Sequence, residues 1–214
     1  MRELKNSSRW LLPLISAATA VLFTGCQSPK ASAPAATTTP PAQMTMPPPA
    51  TTAPAVTASG LTVTPPVYID AGSSMTYTDS VGNVWQADEG FSGGDSTERP
   101  ADLQITNTAD AEIFRTEHFG MSSFSCNLPD GKYTVKLLFA ETYDEVTGPG
   151  QRVFSMNVGG KEIDDFDVFA KAGGGDTACV ETVDVDVTNG QLVITFTAKT
   201  QNPEINGIEI LPAS

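Results

Sequence analysis

The sequence predicts an all-β domain, a jelly-roll β-sandwich, over residues 67–214. Three observations indicate this fold class. Short stretches in which apolar and polar residues alternate recur at intervals of about 8–12 residues, and turn-forming Gly, Pro and Asn-Gly pairs separate them. After the first 26 residues, no apolar pattern of helical period extends beyond two turns. A domain of roughly 145 residues is also long enough to bury a core of its own.

The first 25 residues are typical of a lipoprotein signal peptide. Three basic residues precede an apolar run, residues 10–23, which is short for a membrane span. The run ends in Leu22-Phe-Thr-Gly-Cys26, which resembles a bacterial lipobox. We therefore expect Cys26 to become the lipid-modified first residue of the mature protein. The alternative is an ordinary cleaved signal in which Cys26 has no role.

Lipid attachment predicts a location in the bacterial cell envelope, with the membrane as one partner. Gln27 follows the lipidated cysteine and is not acidic, which favours the outer membrane or the cell surface over the inner membrane. Residues 26–66 are predicted to be a disordered linker, because they consist mainly of Pro, Ala and Thr. In an extended polyproline conformation such a tether reaches on the order of 100 Å.

The first strand of the domain is predicted at residues 68–70, and the strand at residues 132–139 has the clearest pattern. Four residues share one of its faces: Tyr133, Val135, Leu137 and Phe139. Their period of two predicts that this face is buried. The Pro-Asp-Gly sequence at residues 129–131 predicts a hairpin turn before the strand. The loop after it presents Tyr143 beside acidic residues, as a binding site at a strand end would.

Two later pairs of residues also predict hairpins. Gly159-Gly160 follows an apolar run, and Asn189-Gly190 lies between residues 182–187 and 192–196, which both alternate. Residues 205–211 supply the last apolar stretch and are predicted to close the domain.

The charge distribution argues against nucleic acid as a partner. Residues 70–214 carry 24 of the 25 acids but eight of the 12 basic residues, which gives a net charge of −16. Such a surface repels phosphate backbones. The charge does not disfavour a neutral ligand such as a sugar.

Catalysis and metal binding have little support in the sequence. His118 is the single histidine, and no Gly-x-Ser-x-Gly motif accompanies it, so a serine hydrolase is not expected. Asp164, Asp165 and Asp167 offer the oxygen ligands that Ca²⁺ takes, but no EF-hand pattern surrounds them. We expect no catalytic residues, no metal and no cofactor.

Glu141 and Arg152 are charged residues at the ends of two successive predicted strands. Two interpretations stand side by side: the residues belong to a binding site, or they form a structural ion pair.

Seven segments, taken in order, resemble a malectin-like carbohydrate-binding module, a family related to galactose-binding-like domains. They are Ile69-Asp-Ala-Gly72, Trp85-Gln-Ala-Asp88 with Phe91-Ser-Gly-Gly94, Thr116-Glu-His-Phe119, Leu138-Phe-Ala-Glu-Thr-Tyr143, Gly148-Pro-Gly-Gln-Arg-Val-Phe154, Phe166-Asp-Val-Phe169 and Asn202-Pro-Glu-Ile-Asn-Gly-Ile-Glu-Ile210. The resemblance covers about residues 67–212. It implies a jelly-roll sandwich with a sugar site in the loops at one end, and a protein that binds rather than catalyses.

The resemblance also implies which residues contact an oligosaccharide, such as a glucose-containing one. The aromatic positions of the family match Phe91, Phe119 and Tyr143. The position after the tyrosine, often Phe, is Asp144, and the acid before the Asn-Pro sequence is replaced by Gln201, beside Asn202. These departures affect which sugar the site would prefer. The alternative is that Phe91 and Phe119 are core residues, the sugar site is lost, and the domain is a protein-protein or adhesive module.

Cys126 and Cys179 are the two cysteines that remain after Cys26 is lipidated. Export into an oxidising compartment and their places on the apolar sides of two strands predict a disulfide between them. The alternative is a pair of separate buried thiols.

Overall fold

A computed structural model describes residues 60–213 of the chain. The predicted signal peptide, Cys26 and most of the 26–66 linker lie outside these residues. Within the described part, no helix has the length and apolar character needed to cross a membrane.

The described residues form 15 strands, one short α-helix and one turn of 3₁₀ helix. The strands are β1 (Leu61–Thr62), β2 (Val67–Asp70), β3 (Tyr77–Thr78), β4 (Val84–Trp85), β5 (Phe91–Ser92), β6 (Asp95–Glu98), β7 (Thr116–Phe119), β8 (Ser123–Asn127), β9 (Gly131–Phe139), β10 (Val153–Val158), β11 (Lys161–Phe166), β12 (Cys179–Val187), β13 (Gln191–Thr200), β14 (Glu204–Ile205) and β15 (Gly207–Pro212). The α-helix, α1, is Val168–Ala172, and the 3₁₀ helix is Ala111–Phe114.

Two main sheets enclose the core, which confirms the predicted β-sandwich. The first sheet has the order β1-β8-β13-β10-β11, with β5 beside β8, and the second has the order β12-β9-β15-β2. The first sheet contributes Phe124 and Phe154 to the core, and the second contributes Leu137 and Ile208, all of them fully buried. Burying such side chains stabilises the fold by about 1.5–3 kcal/mol each.

The strand with the clearest sequence pattern, β9, lies at the centre of the second sheet between β12 and β15. Its four alternating residues, from Tyr133 to Phe139, face the core as predicted. Leu138 is buried as well, because a second apolar cluster around Trp85 and Ile113 covers the outer face of this sheet.

Two turns predicted as hairpins carry the chain from one sheet to the other instead. Residues 128–130 connect β8 to β9, and residues 188–190 connect β12 to β13, and neither pair of strands shares hydrogen bonds. The turns bond to each other: Gly190 N donates to Asp130 Oδ1 over 2.8 Å, and Leu128 N donates to Gly190 O over 3.0 Å. The prediction was wrong because alternation defines the buried face of a strand but not its neighbour. The Gly159-Gly160 turn does join a hairpin, β10 to β11.

The predicted disulfide between Cys126 and Cys179 is wrong, because both are free, buried thiols. Cys126 lies in β8, close to the turn that leads into the first residue of β9. Cys179 is aligned with Phe139, the last residue of β9. The nine residues of β9 span roughly 27 Å, so the two cysteines lie toward different ends of the sandwich and in different sheets. Burial raises the pKa of each thiol to about 12.

The folded part of the chain begins before residue 67, inside the segment predicted as linker. Strand β1 pairs in parallel with β8, with Leu61 aligned to Cys126. Val63 N donates to Asn127 O over 3.1 Å, and Asn127 Nδ2 donates to Gly60 O over 3.1 Å. Leu61 and Val63 pack, partly buried, against the main core.

Candidate functional site

One cavity of about 330 Å³ combines aromatic rings, amide side chains and buried charges, and we call it the site cavity. Its lining residues are Thr97, Arg99, Glu117, Phe119, Tyr143, Arg152, Gln201 and Asn202. Four of the six residues predicted to contact a sugar are therefore brought together: Phe119, Tyr143, Gln201 and Asn202.

A three-stranded sheet with the order β6-β7-β14 provides one wall of the site cavity. Glu117 and Phe119 are two residues apart on β7, so they share one face of this sheet. Thr97 on β6 is aligned with Glu117 and lies on the same face. Glu204 on β14 is aligned with Phe119 and shares this face too. The sheet thus directs alternate side chains of β6 and β7 toward the cavity, and Glu204 lies buried on the same face.

The floor contains the ion pair between Glu141 and Arg152 that the sequence left as one of two interpretations. Arg152 Nε donates to Glu141 Oε2 over 2.6 Å, and Nη2 donates to Oε1 over 3.2 Å. The side chains are 5% and 0% exposed, so the pair is buried. Arg152 Nη1 also donates to the carbonyl of Asn202 over 2.6 Å, and Tyr143 N donates to Glu141 Oε1 over 3.1 Å. The pair therefore holds both Tyr143 and Asn202 in place.

A second, partly buried network lies beside the first. Arg99 Nη2 donates to Glu117 Oε1 over 3.0 Å, and Arg99 Nε donates to Thr142 Oγ1 over 3.0 Å. Thr142 Oγ1 in turn donates to Glu117 Oε2 over 3.1 Å. Both carboxylate oxygens of Glu117 are occupied, which fixes this side chain under the cavity.

Glu204 is the exception to this complete pairing. The residue is 0% exposed, and neither of its carboxylate oxygens has a hydrogen-bond partner within residues 60–213. Burial, followed by the charge of Glu117, raises the pKa of Glu204 well above its usual value. A buried carboxyl without partners takes the neutral form, because ionisation without solvation is costly.

The rim of the site cavity is formed by the turn after β13. Gln201 has a φ of 59°, so its backbone is in the left-handed region. This conformation turns the chain so that the exposed side chains of Gln201 and Asn202 border the cavity. Pro203 O accepts from Gly120 N over 2.8 Å, which ties the turn to the end of β7.

Phe91 and Asp144 are not among the residues that line the site cavity. The half-buried ring of Phe91 stacks on His118 with a centroid distance of 4.3 Å and also contacts Phe124 at 5.2 Å. Asp144 is exposed and lines a neighbouring cavity of about 480 Å³ together with Thr142 and Arg99. Arg99 lines both cavities.

Three other polar residues considered in the sequence, His118, Asp165 and Asp167, have structural partners. His118 Nδ1 lies 2.9 Å from Asp88 Oδ2, and its Nε2 lies 2.9 Å from Gly93 O, so both ring nitrogens are engaged. Asp165 pairs with Lys199, and Asp167 accepts from Ala170 N at the start of α1. Within residues 60–213, no group of three His, Cys, Asp or Glu residues is arranged to hold a metal ion.

Two larger cavities offer fewer accessible aromatic rings for stacking on a sugar. A cavity of about 610 Å³ beside β10 and β13 has no aromatic lining residue among the described residues. A cavity of about 570 Å³ on the outer face of the second sheet includes Tyr68 and Trp85, but Trp85 is 2% exposed and its ring is covered.

Sequence reasoning missed Thr97, Arg99 and Glu117 as lining residues. Glu117 had a signal, since it lies two residues before Phe119 on a strand and must share its face. Thr97 and Arg99 had none, because β6 is a short polar strand whose partner is known only from the fold.

Comparison with known proteins identifies relatives of this chain. The malectin domain family profile matches residues 66–209. A probable leucine-rich repeat receptor-like serine/threonine-protein kinase from Arabidopsis thaliana is 31% identical over an alignment of 138 residues that covers 60% of this chain and 13% of the kinase. The chain thus spans about an eighth of the length of this curated relative.

Solved structures share the fold. A β-glucuronidase from Bacteroides uniformis matches with a TM-score of 0.62 at 20% identity, over 69% of this chain and 18% of the enzyme chain. A structure of the plant peptide RALF23 in complex with FER and LLG2 matches with a TM-score of 0.59 at 16% identity, over 67% of this chain and 47% of that chain.

Proposed function

This chain belongs to the malectin domain family, and from that premise we propose that it binds carbohydrate in the site cavity without catalysing a reaction. One observation carries the proposal: the rings of Phe119 and Tyr143 and the amides of Gln201 and Asn202 surround a single cavity. A ring face packs on the apolar face of a sugar ring, and amides both donate to and accept from its hydroxyls.

The floor of the site cavity favours a neutral oligosaccharide, such as a glucose-containing one. Two guanidinium groups, Arg99 and Arg152, are each bonded to one carboxylate, so their charges are balanced before any ligand arrives. A neutral ligand leaves this balance intact. Its affinity is therefore expected to change little between low and moderate salt.

The affinity is expected to be weak. A sugar offers few apolar atoms, so dissociation constants lie in the millimolar to micromolar range, roughly −4 to −8 kcal/mol. Removing one stacking ring weakens binding by about 1–2 kcal/mol, which is about tenfold or somewhat more.

A glycan array followed by an NMR titration tests the proposal. The protein is the full chain with Cys26→Ser, which lacks the lipid attachment site. We expect shifts at residues 119, 143, 201 and 202, and a loss of at least about tenfold in affinity in Tyr143→Ala. Tyr68→Ala is the matched control, because Tyr68 is equally half-buried but lies on β2 in the second sheet. Unchanged affinity in Tyr143→Ala, or no glycan bound, contradicts the proposal.

Membrane attachment is the second part of the proposal. The signal-like residues 1–25 and the Gly-Cys sequence at residue 26 support a lipid anchor in a bacterial envelope, with the outer membrane or cell surface favoured. Metabolic labelling with palmitate should mark the wild-type protein and not Cys26→Ser. Wild-type protein that is unlabelled and soluble would contradict the anchor.

A protein partner is the alternative function. Val81 and Val180 are 80% and 45% exposed and border the cavity on the outer face of the second sheet. Among proteins of this fold, FER is found in complex with the peptide RALF23 and with LLG2. Cross-linking on cells that depends on Val81 and not on Tyr143 would favour this function.

A further inference from the structure

The side chain of Glu204 lies on the sheet face that carries two residues of the site cavity, and it has no hydrogen-bond partner within residues 60–213. Glu204 is aligned with Phe119 across the β14-β7 pair, so the two side chains project from the same face of the sheet. Phe119 and Glu117, on that face, line the site cavity. Glu204 lies under them, fully buried, with both oxygens unpaired within the described residues.

The charged groups that face Glu204 come from several elements. Glu117 on β7 and Glu141 after β9 are the nearby carboxylates, and Arg152 before β10 and Arg99 after β6 are the nearby cations. The thiol of Cys179 at the start of β12 is also close enough to interact. The two arginines already balance the two other carboxylates. An ionised Glu204 would add a third negative charge without a partner of its own.

Arg152 is the group that an ionised Glu204 would disturb most directly. Its guanidinium is held by Glu141 and by the carbonyl of Asn202, and these contacts position both sides of the site cavity. A new buried anion nearby competes with these two acceptors for the same N–H groups. The loops that carry Tyr143 and Asn202 would then lose their common anchor.

We propose that Glu204 is a positioning residue that holds the site cavity in its binding shape only as a neutral acid. A rise in pH that ionises it redirects Arg152 and weakens ligand binding. The part of this inference that concerns binding rests on the proposed function, whereas the part that concerns Arg152 does not.

The first experiment needs no ligand. NMR follows the carboxyl carbon of Glu204 and the Nε–H of Arg152 from about pH 5 to about pH 9 in the full chain with Cys26→Ser. We expect both signals to move with the same midpoint, and the Arg152 signal to stay constant in Glu204→Gln. His118 on the opposite face of β7 and Asp70 on β2 also have a raised pKa, but both are present in the wild type and in Glu204→Gln, so their effects cancel in the comparison.

The matched control is Glu209→Gln, the same chemical change at an acid that pairs with Lys136 in the second sheet over 2.9 Å. It should leave the Arg152 titration as in the wild type. An Arg152 signal that is constant in the wild type, or that moves equally in Glu204→Gln, overturns the proposal. If Glu204→Gln does not fold, different midpoints for Glu204 and Arg152 in the wild type overturn it as well.

The second experiment measures affinity for the best glycan from the array over the same pH range. Wild-type affinity should fall with rising pH by up to about tenfold per unit above the Glu204 midpoint, and Glu204→Gln should bind with little pH dependence. Equal pH dependence in the two proteins overturns the role in binding. If no glycan binds at any pH, the proposed function fails, and the Arg152 titration alone decides the role of Glu204.

Discussion

Both carboxylate oxygens of Glu141 accept hydrogen bonds from the guanidinium of Arg152, at 2.6 and 3.2 Å. Neither side chain is more than 5% exposed. The same carboxylate accepts from Tyr143 N, and the same guanidinium donates to Asn202 O. One buried pair therefore serves both the stability of the fold and the shape of the site cavity.

We predict that Arg152→Met lowers the free energy of unfolding by about 3–5 kcal/mol, because it leaves a buried carboxylate uncompensated. Lys132→Met removes one partner of an exposed pair, Lys132 with Asp186 at 3.4 Å, and should lower it by less than about 1 kcal/mol. Urea denaturation of both variants measures the difference. Similar losses in the two would show that burial of the Glu141 pair has no special effect.

We predict that the two candidate phenylalanines behave differently. Phe91→Ala should lower the free energy of unfolding by about 2–3 kcal/mol, since its ring packs on His118 and Phe124, and should leave glycan affinity nearly unchanged. Phe119→Ala should weaken glycan binding by about tenfold with a smaller effect on stability, because this ring lines the site cavity. Thermal denaturation and glycan titration of both variants separate the effects, and loss of binding in Phe91→Ala alone would reverse the assignment.

We predict that Asp70 makes the domain less stable as the pH rises. Asp70 is 2% exposed, and burial raises its pKa from 3.8 to about 7, although Thr116 donates a hydrogen bond to it over 2.8 Å. A folded-state pKa above the unfolded value means that the stabilising contribution is complete below about pH 4 and is lost as the pH approaches 7. The free energy of unfolding is expected to fall by on the order of 4 kcal/mol over this pH range.

Asp70→Asn should remove this part of the pH dependence. Chemical denaturation at pH 4, 5.5 and 7.5 compares it with the wild type and with Asp102→Asn, a change at an exposed acid. If the free energy of unfolding changes with pH by the same amount in Asp70→Asn and Asp102→Asn, the assignment to Asp70 is refuted.

We predict that a chain beginning at residue 60 is more stable than one beginning at residue 67. The longer chain keeps β1. Leu61 in β1 and Val63 just after it pack on the core, and the backbone N–H of Val63 donates to Asn127 O. Partial burial of these two side chains is worth about 1–3 kcal/mol. Differential scanning calorimetry of both chains, with Leu61→Ala as an intermediate, tests this. Equal melting temperatures would mean that β1 adds no stability.

Local patterns predicted the strands and the buried faces well, because the period of two depends only on neighbouring residues. The face from Tyr133 to Phe139 is the clearest case. Strand neighbours depend on distant parts of the chain, so both inter-sheet turns were predicted as hairpins. The wrong disulfide prediction has the same explanation. The alternation of apolar residues predicted that Cys126 and Cys179 face the core, but it does not show how far apart they lie within the core.

Four candidate residues were predicted from the family resemblance, and one of them, Tyr143, also from its place after a strand. The structure brings these four residues, Phe119, Tyr143, Gln201 and Asn202, around one cavity. The charged residues around the cavity were harder to predict. In the sequence, Glu204 does not differ from the other acidic residues, and its complete burial follows only from strand pairing in the fold.

The two inter-sheet turns also have a consequence for folding kinetics. Asp130 and Gly190 are hydrogen-bonded although they lie 60 positions apart in the sequence. Strand β2, near the start of the domain sequence, pairs with β15, near its end. Because so many contacts join distant segments, little of the sandwich can assemble from local structure alone. A high contact order of this kind places refolding in the range of milliseconds to seconds. During that interval the apolar strands of each sheet remain exposed, so the chain must pair its strands correctly before it meets another copy.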